Sequence, residues 1–375
     1  MHNLSTLQRL RVSLLFFQFP LIAKQLFDIS GSVEGVESMV MAGDWGGIRP
    51  PRNLQRHLNN GGGNDTRVEE VANWLEAPRH RLICLGTDEY PQQLAEIPDP
   101  PLVLFVSGNL DLLKLPQLAI VGSRNPTPYG RKVTKLIAEE MAGGGIVITS
   151  GMARGIDSGA HIGALDIGGS TIAVLGTGCD QVYPRENKAL MEQIARQGLL
   201  VSEFPPGVGP APPNFPQRNR IVTGMSTGTL VIEARLRSGS LISARLAMEQ
   251  GREVFAVPGS VLSKQSEGCH HLIKEGARLT TNVADIIEEL SSSHPELRFE
   301  ADAGKDPVTK NRSLGAQQDK VLGCLDLEPS GVDKISEQAG MSVTQTLQIL
   351  VELELAGFIN SIAGQYMLSK DWKQN

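Results

Sequence analysis

From Leu118 to Gly259 five apolar runs each break off in a loop of glycine and hydroxyl residues: LAIVGSR, GIVITSGMARG, STIAVLGTG, GTLVIEARLRSGS and EVFAVPGS. Runs of Val, Ile and Leu without polar alternation suit parallel strands whose two faces are both covered by helices. The connecting segments YGRKVTKLIAEEMA, DSGAHIGALDI and SLISARLAMEQ read as those helices. The alternation specifies an α/β fold with a mostly parallel sheet wound on both sides. In such sheets ligands collect beyond the carboxyl ends of the strands. Here those ends carry Gly122, Ser123, Arg124, Arg154, Ser238, Gly239 and Ser240, residue types that suit a phosphate-rich ligand.

The loops differ in how sharply they speak. In Gly122-Ser123-Arg124 the glycine lets backbone approach a ligand, and a helix starting near Tyr129 aims its amides at the same spot. Arg124 either forks onto phosphate oxygens or pairs with a carboxylate in the crevice. Arg154 sits in a tight turn between Gly151 and Gly155, where it meets phosphate or pairs with Asp157, itself placed to cap the next helix. His161 lies among Ala160 and Ile162 and reads as a packed histidine. Gly176-Thr177-Gly178 lacks the third glycine of a dinucleotide fingerprint, so Arg185 and Lys188 read as cations flanking a polyanion. In PPGVGPAPPNFPQRNR the prolines forbid regular structure until Gln217, after which Arg218, Asn219 and Arg220 open a helix. Phe215 is either a stacking platform for a base or a pin for its loop. Ser238-Gly239-Ser240, directly before a helix, is an anion nest, a serine cap, or both.

Composition narrows the classes. The 375 residues exceed one ordinary domain, and 41% apolar content suits a protein with a proper core. With a formal charge of -6, any nucleic-acid site has to be a local basic patch on an acidic body. Cys84, Cys179, Cys269 and Cys324 lie far apart without a CxxC pair, against a disulfide framework and for a reducing, cytoplasmic setting. Cys269-His270-His271 has no second ligand pair at zinc spacing, so no metal is expected, and nothing calls for a cofactor. The run SLLFFQFPLIA is too short to span a bilayer and contains Pro20, so it reads as helix core rather than membrane or leader.

Four regions are expected. Residues 1–75 are helical, with turns at Gly31, Gly46-Gly47 and Asn59 to Gly63. Residues 76–290 hold the α/β body, with RLICLG and PLVLFV extending its sheet. Residues 291–313 have linker composition. Residues 314–375 read as helix, helix, helix and a terminal strand, the plan of a winged helix. Its third helix places Val343, Leu347, Leu350, Val351, Leu353 and Leu355 on its apolar side. Thr344, Gln345, Gln348, Glu352 and Glu354 face outward without a single cation, a poor recognition helix for DNA.

Taken in order, AIVGSRNPTPYG, ITSGMARGIDSGAHIGAL, NFPQRNRIVTGMS, EARLRSGSLISARLAMEQGREVFAVPGS and HHLIKEGARLTT resemble the DprA/Smf family of DNA-processing proteins, over about Leu82 to Leu290. The resemblance implies an extended Rossmann-like domain with a winged-helix tail. It further implies single-stranded DNA binding, homodimerisation near His270 to Leu279, and loading of the RecA recombinase during natural transformation. It places Arg124, Arg185 and Lys188 on DNA phosphates. Where family members often carry a glycine-rich turn, this chain reads FQFPLIAKQL. Two function classes compete. One is a non-enzymatic strand binder; the other is a nucleoside-monophosphate hydrolase using Glu233 and the Ser238-Gly239-Ser240 nest. The basic series Arg124, Arg185, Lys188, Arg218 and Arg220 favours the polymer. A dinucleotide oxidoreductase lacks both its glycine fingerprint and its acidic ribose partner.

Overall fold

A computed structural model describes residues 4–61, 65–293, 316–325, 330–355, 358–362 and 365–368. The chain forms two compact units, Met1–Asp302 and Ala303–Asn375. Most of the stretch read as a linker, 291–313, lies outside the described residues. No helix among them is long and apolar enough to cross a membrane.

The first unit opens with helices α1 (Leu4–Phe16), α2 (Pro20–Ser30), α3 (Val33–Met41), α4 (Arg52–Asn59) and α5 (Asp65–Trp74). Pro20 splits the apolar run at its start: it takes the first turn of α2, where its missing N–H does no harm. Gly31 then ends α2 in the left-handed conformation, φ 75°, that suits glycine at this point.

The sheet follows as β1 (His80–Cys84), α6 (Gln92–Ala95), β2 (Val103–Gly108), β3 (Gln117–Gly122), α7 (Pro128–Gly143), β4 (Val147–Ser150), α8 (Ile156–Asp166) and β5 (Thr171–Val174). It continues through α9 (Lys188–Gln197), β6 (Leu199–Ser202), α10 (Asn214–Gly224), β7 (Gly228–Ile232), α11 (Gly239–Glu249), β8 (Glu253–Ala256), α12 (Glu267–Lys274), β9 (Arg278–Leu279) and α13 (Val283–Ser293). Nine strands lie in the order β1-β2-β6-β5-β4-β3-β7-β8-β9. The seven from β6 to β9 are parallel, and β2 and β1 add antiparallel at one edge.

Burial on both faces explains the unbroken apolar runs. Leu118 and Ile120 of β3 pack with α7, α8 and α13 through Ile137, Ala160 and Ile286. Ala119 and Val121, pointing the other way, join the core containing Ile194, Val222 and Ala247 from α9, α10 and α11. One boundary differs from expectation: α10 begins at Asn214, before Gln217, because Pro216 falls within the first turn, where proline is tolerated.

The second unit contains α14 (Ala316–Leu322), β10 (Ser330–Gly331), α15 (Val332–Ala339), α16 (Val343–Leu355), β11 (Ile359–Ile362) and β12 (Gln365–Leu368). The last two pair as an antiparallel hairpin with β10 beside β12, completing a winged helix. Val321, Leu322, Ile335, Ile349, Leu350 and Leu353 form its core. The apolar side of α16 is narrower than its sequence suggests. Val343, Leu347 and Val351 are 41%, 37% and 48% exposed, because four-residue steps keep them together on a stripe away from Ile349 and Leu353. The side chain of Leu355 falls outside the described residues.

Candidate nucleic-acid interface

β3 and β7 are neighbours, yet the chain leaves them in opposite directions. After β3 it passes to α7 on one face and to β4; after β7 it passes to α11 on the other face and to β8. A crevice opens between the two departing loops, the place where such sheets hold ligands. Its volume is about 450 Å³, and Arg124, Arg218, Arg235, Arg237 and Ser238 are among its walls. A second hollow of about 800 Å³ adjoins it along Arg124, Gly151, Phe215 and Arg218 and extends to Tyr183 and Arg185.

Two helix N-termini meet this crevice, and they differ. That of α7 already has its anion. The Glu233 carboxylate accepts the Thr127 backbone N–H at 2.8 Å and the Thr127 hydroxyl, and Thr127 in turn caps Gly130. Glu233 holds a left-handed backbone, φ 53°, rare outside glycine. The expected pull of the α7 amides on a ligand at Ser123 and Arg124 is therefore satisfied internally. Gly122 is likewise a packing requirement: a Cβ there would lie 1.9 Å from the Ile232 carbonyl oxygen. Ser123 turns its hydroxyl to the Asn125 N–H at 3.1 Å. At α11, by contrast, no side chain caps the helix. Ser238 sits in extended backbone with its hydroxyl 2.8 Å from that of Ser240, and Gly239 faces open space. These uncapped N–H groups and two hydroxyls face the crevice, an arrangement suited to an anion.

The arginines divide sharply. Arg124, Arg235 and Arg237 are exposed at the crevice and make no ion pair among the described residues. Arg218 is 4% exposed and forms the floor. Its Nη1 donates to the Gly151 and Val174 carbonyls and its Nε to Asn219 at 3.2 Å. Burial pulls its pKa down to about 10, against the pull of Asp157 in the opposite direction. Gly151 is small because the Arg218 guanidinium stands where its Cβ would go. Arg218 is thus no free phosphate fork: its Nη1 donors tie the ends of β4 and β5 together while the side chain still lines the crevice.

Arg220 is corrected outright. It is buried on the other side of α10, in a two-bond pair with Glu203 at 2.7 and 2.8 Å and a further contact with Asp99 at 3.1 Å. Helical residues two apart project in nearly opposite directions, so both arginines could not face the ligand.

Around the second hollow, Arg154 pairs with Glu186 rather than Asp157. Asp157 instead accepts the Ala153 N–H at 3.3 Å, its carboxyl pushed up by burial and held back by Arg218. Arg185 is exposed without an ion pair among the described residues, and Lys188, just beyond, touches Glu192 only at 3.9 Å. Phe215 fills the space over Gly176 and meets Tyr183 ring to ring at 5.1 Å, so it is both pinned and part of the wall. His161 is buried with Nδ1 on the Thr171 hydroxyl at 2.7 Å, and burial pulls its pKa down to about 3.

Elsewhere, Cys269 is buried against the Val231 carbonyl, His270 bonds the Gly259 carbonyl at 3.0 Å, and His271 faces Glu275. Leu279 lies half exposed on β9, the outer edge of the sheet. Arg235, Arg237 and Tyr183, absent from the sequence-based candidates, also line the two hollows. The string ARLRSGS, two arginines stepping out of a strand into a helix start, was the signal for the first two.

Residues 81–291 match the family described as DNA recombination-mediator protein A, and residues 305–365 match the DprA winged helix domain. Protein Smf of Escherichia coli is 44% identical over 80% of this chain and 80% of its own length. DNA processing protein DprA of Streptococcus pneumoniae is 50% identical over 71% of this chain and 93% of its own. The X-ray structure of DprA from that organism superposes with a TM-score of 0.63 at 39% identity, covering 77% of this chain and 99% of that one. A DprA structure from Helicobacter pylori, described for its single-stranded DNA binding mode, gives a TM-score of 0.51 at 34% identity, covering 57% and 97%. Family models, sequence identity and structural superposition agree, and the chain belongs to the DNA recombination-mediator protein A family, the DprA/Smf proteins.

Proposed function

We propose that this chain binds single-stranded DNA through its phosphate backbone in the crevice between β3 and β7, without catalysing a reaction on it. One observation carries the reading. Three arginines that make no ion pair among the described residues, Arg124, Arg235 and Arg237, converge on an uncapped helix N-terminus in a chain whose overall charge is -6. Unpaired guanidinium groups so close together repel one another, and a polyanion removes that penalty. Arg185 and Lys188 extend the cationic rim, and Tyr183 with Phe215 offers bases a stacking surface. The binding mode described for the Helicobacter pylori relative supports the same ligand.

The competing hydrolase would use Glu233 as its base. That carboxylate has both oxygens committed to Thr127, so it stabilises the fold rather than waiting for substrate. As a member of this family, the protein would act in the cytoplasm, pair with a second copy through the β9 edge around Leu279 and near His270, and hand its strand to the RecA recombinase. The nine-strand unit, the linker around 291–313 and the winged helix would then serve as separate working parts.

Fluorescence anisotropy with oligo-dT at several salt concentrations tests the ligand. Five cations on phosphates predict a log–log salt slope of roughly 3.5. A flat response, or release of base from AMP assayed in parallel, would return the mononucleotide reading to first place.

A further inference from the structure

From Trp45 to Asn64 the sequence WGGIRPPRNLQRHLNNGGGN contains three arginines, one histidine and no acidic residue, in a chain that is acidic overall. The structure gathers these cations on one small surface. Arg49 precedes α4, and Arg52 and Arg56 lie one turn apart on its outer side, all three exposed and without an ion pair among the described residues. Leu54 faces inward and is fully buried, so the helix is anchored by its apolar side while its charges point to solvent. Like charges four residues apart oppose helix formation, so helix stability is not what this arrangement serves.

The ridge is joined to the rim of the crevice. His57 of α4 bonds the Leu14 carbonyl at 3.0 Å and meets Phe17 edge-on, ring centres 6.3 Å apart. Phe17 in turn lies 6.1 Å from Phe204, just past the carboxyl end of β6, the end of the sheet at which the crevice opens. The Phe17 carbonyl accepts the Gln217 amide at 2.6 Å, one residue before Arg218 in the crevice floor and two after Phe215 in its wall.

We propose that Arg49, Arg52 and Arg56 form a second phosphate-binding stretch, which takes the same DNA strand as it leaves the crevice past Phe215. This rests on the reading of the crevice as a single-strand site. It is independent of the stretch FQFPLIAKQL, which stands where family members often carry a glycine-rich turn. The contacts are to backbone charge alone: α4 carries no Phe, Tyr or Trp, and its one ring, His57, is turned to the Leu14 carbonyl and Phe17.

Strand length separates the two stretches. Wild type and an R49A/R52A/R56A variant would be titrated with dT of about 6 nucleotides, enough to occupy the crevice, and of about 30, enough to reach α4. The variant is expected to lose roughly tenfold in affinity for the long strand, with a salt slope lower by about 2, while the short strand binds as before. Lysine at all three positions should restore the long-strand affinity, because only charge is required. Unchanged long-strand binding in the alanine variant overturns the ridge while leaving the crevice standing. Equal loss on both lengths, or no rescue by lysine, also overturns it. If Arg124→Ala leaves even the short strand bound normally, the crevice reading itself has failed and the ridge falls with it.

Discussion

Two arginine pairs with the same spacing have opposite fates. In α10 the string Arg218-Asn219-Arg220 is buried: one guanidinium ties strand ends together and the other pairs with Glu203 and Asp99. After β7 the string Arg235-Leu236-Arg237 is exposed, and neither arginine makes an ion pair among the described residues, beside the open end of α11. Local sequence gives both the same charge density. What separates them is whether carbonyls and carboxylates from distant segments have already taken the donors. A buried guanidinium with a full set of partners is structure; an exposed one without partners is available to a ligand.

The sharpest break of this comparison is in stability. Arg220→Ala leaves Glu203 buried without its partner, and should destabilise the fold by about 3–5 kcal/mol in urea melts. A loss below about 1 kcal/mol would show that the buried pair is not structural. Next, R235A/R237A should reduce affinity for oligo-dT roughly a hundredfold by anisotropy, at about 1.5 kcal/mol per charge-assisted contact. The same variant should unfold within about 0.5 kcal/mol of wild type. A stability loss without a binding loss would reverse the assignment of the two pairs.

The buried side of the comparison also has a pH signature. His161 is kept neutral first by burial and then by Arg218, with its pKa lowered from 6.5 to about 3. The unfolded chain takes up a proton below pH 6.5 that the folded chain refuses, so this group's contribution to stability falls as pH drops from 6.5 towards 3. The slope is at most about 1.4 kcal/mol per pH unit. Asp157 and Glu203, both raised by burial, act in the opposite sense. The difference between wild type and His161→Asn therefore isolates the histidine. Asn keeps a donor for Thr171, and its unfolding free energy should decline less between pH 6.5 and 5. Parallel slopes would mean that His161 does not resist protonation.

The smallest effect belongs to the tail. The exposed face of α16 carries Gln345, Gln348, Glu352 and an apolar stripe, and no cation. Truncation after Ser292 should leave single-strand affinity within a factor of about three, since few or no phosphate contacts are removed. A drop of an order of magnitude would make the tail a third region of the DNA site and blur the contrast between the arginine pairs.

How much of this was legible follows from the range of each signal. The strands were readable because burial on both faces writes unbroken apolar runs, and the helix in YGRKVTKLIAEEMA because its apolar spacing is local; its true start, Pro128 behind the Thr127 cap, came from the structure. The α11 nest was readable for the same reason. Pro216 misled because a proline that breaks a helix interior fits its first turn. The stripe of Val343, Leu347 and Val351 misled because an apolar periodicity says that a face exists without saying what covers it.

Sequence by itself determined the parallel sheet, the loops beyond its strand ends where a ligand would sit, and the family. Only tertiary structure decided which charges were free to meet that ligand. Glu233 reaches across 106 positions to claim the end of α7, Glu203 reaches 17 to claim Arg220, and Arg218 spans 67 to the Gly151 carbonyl. A charge is spent or available according to its neighbours in space, and those neighbours are set by packing rather than by adjacent residues.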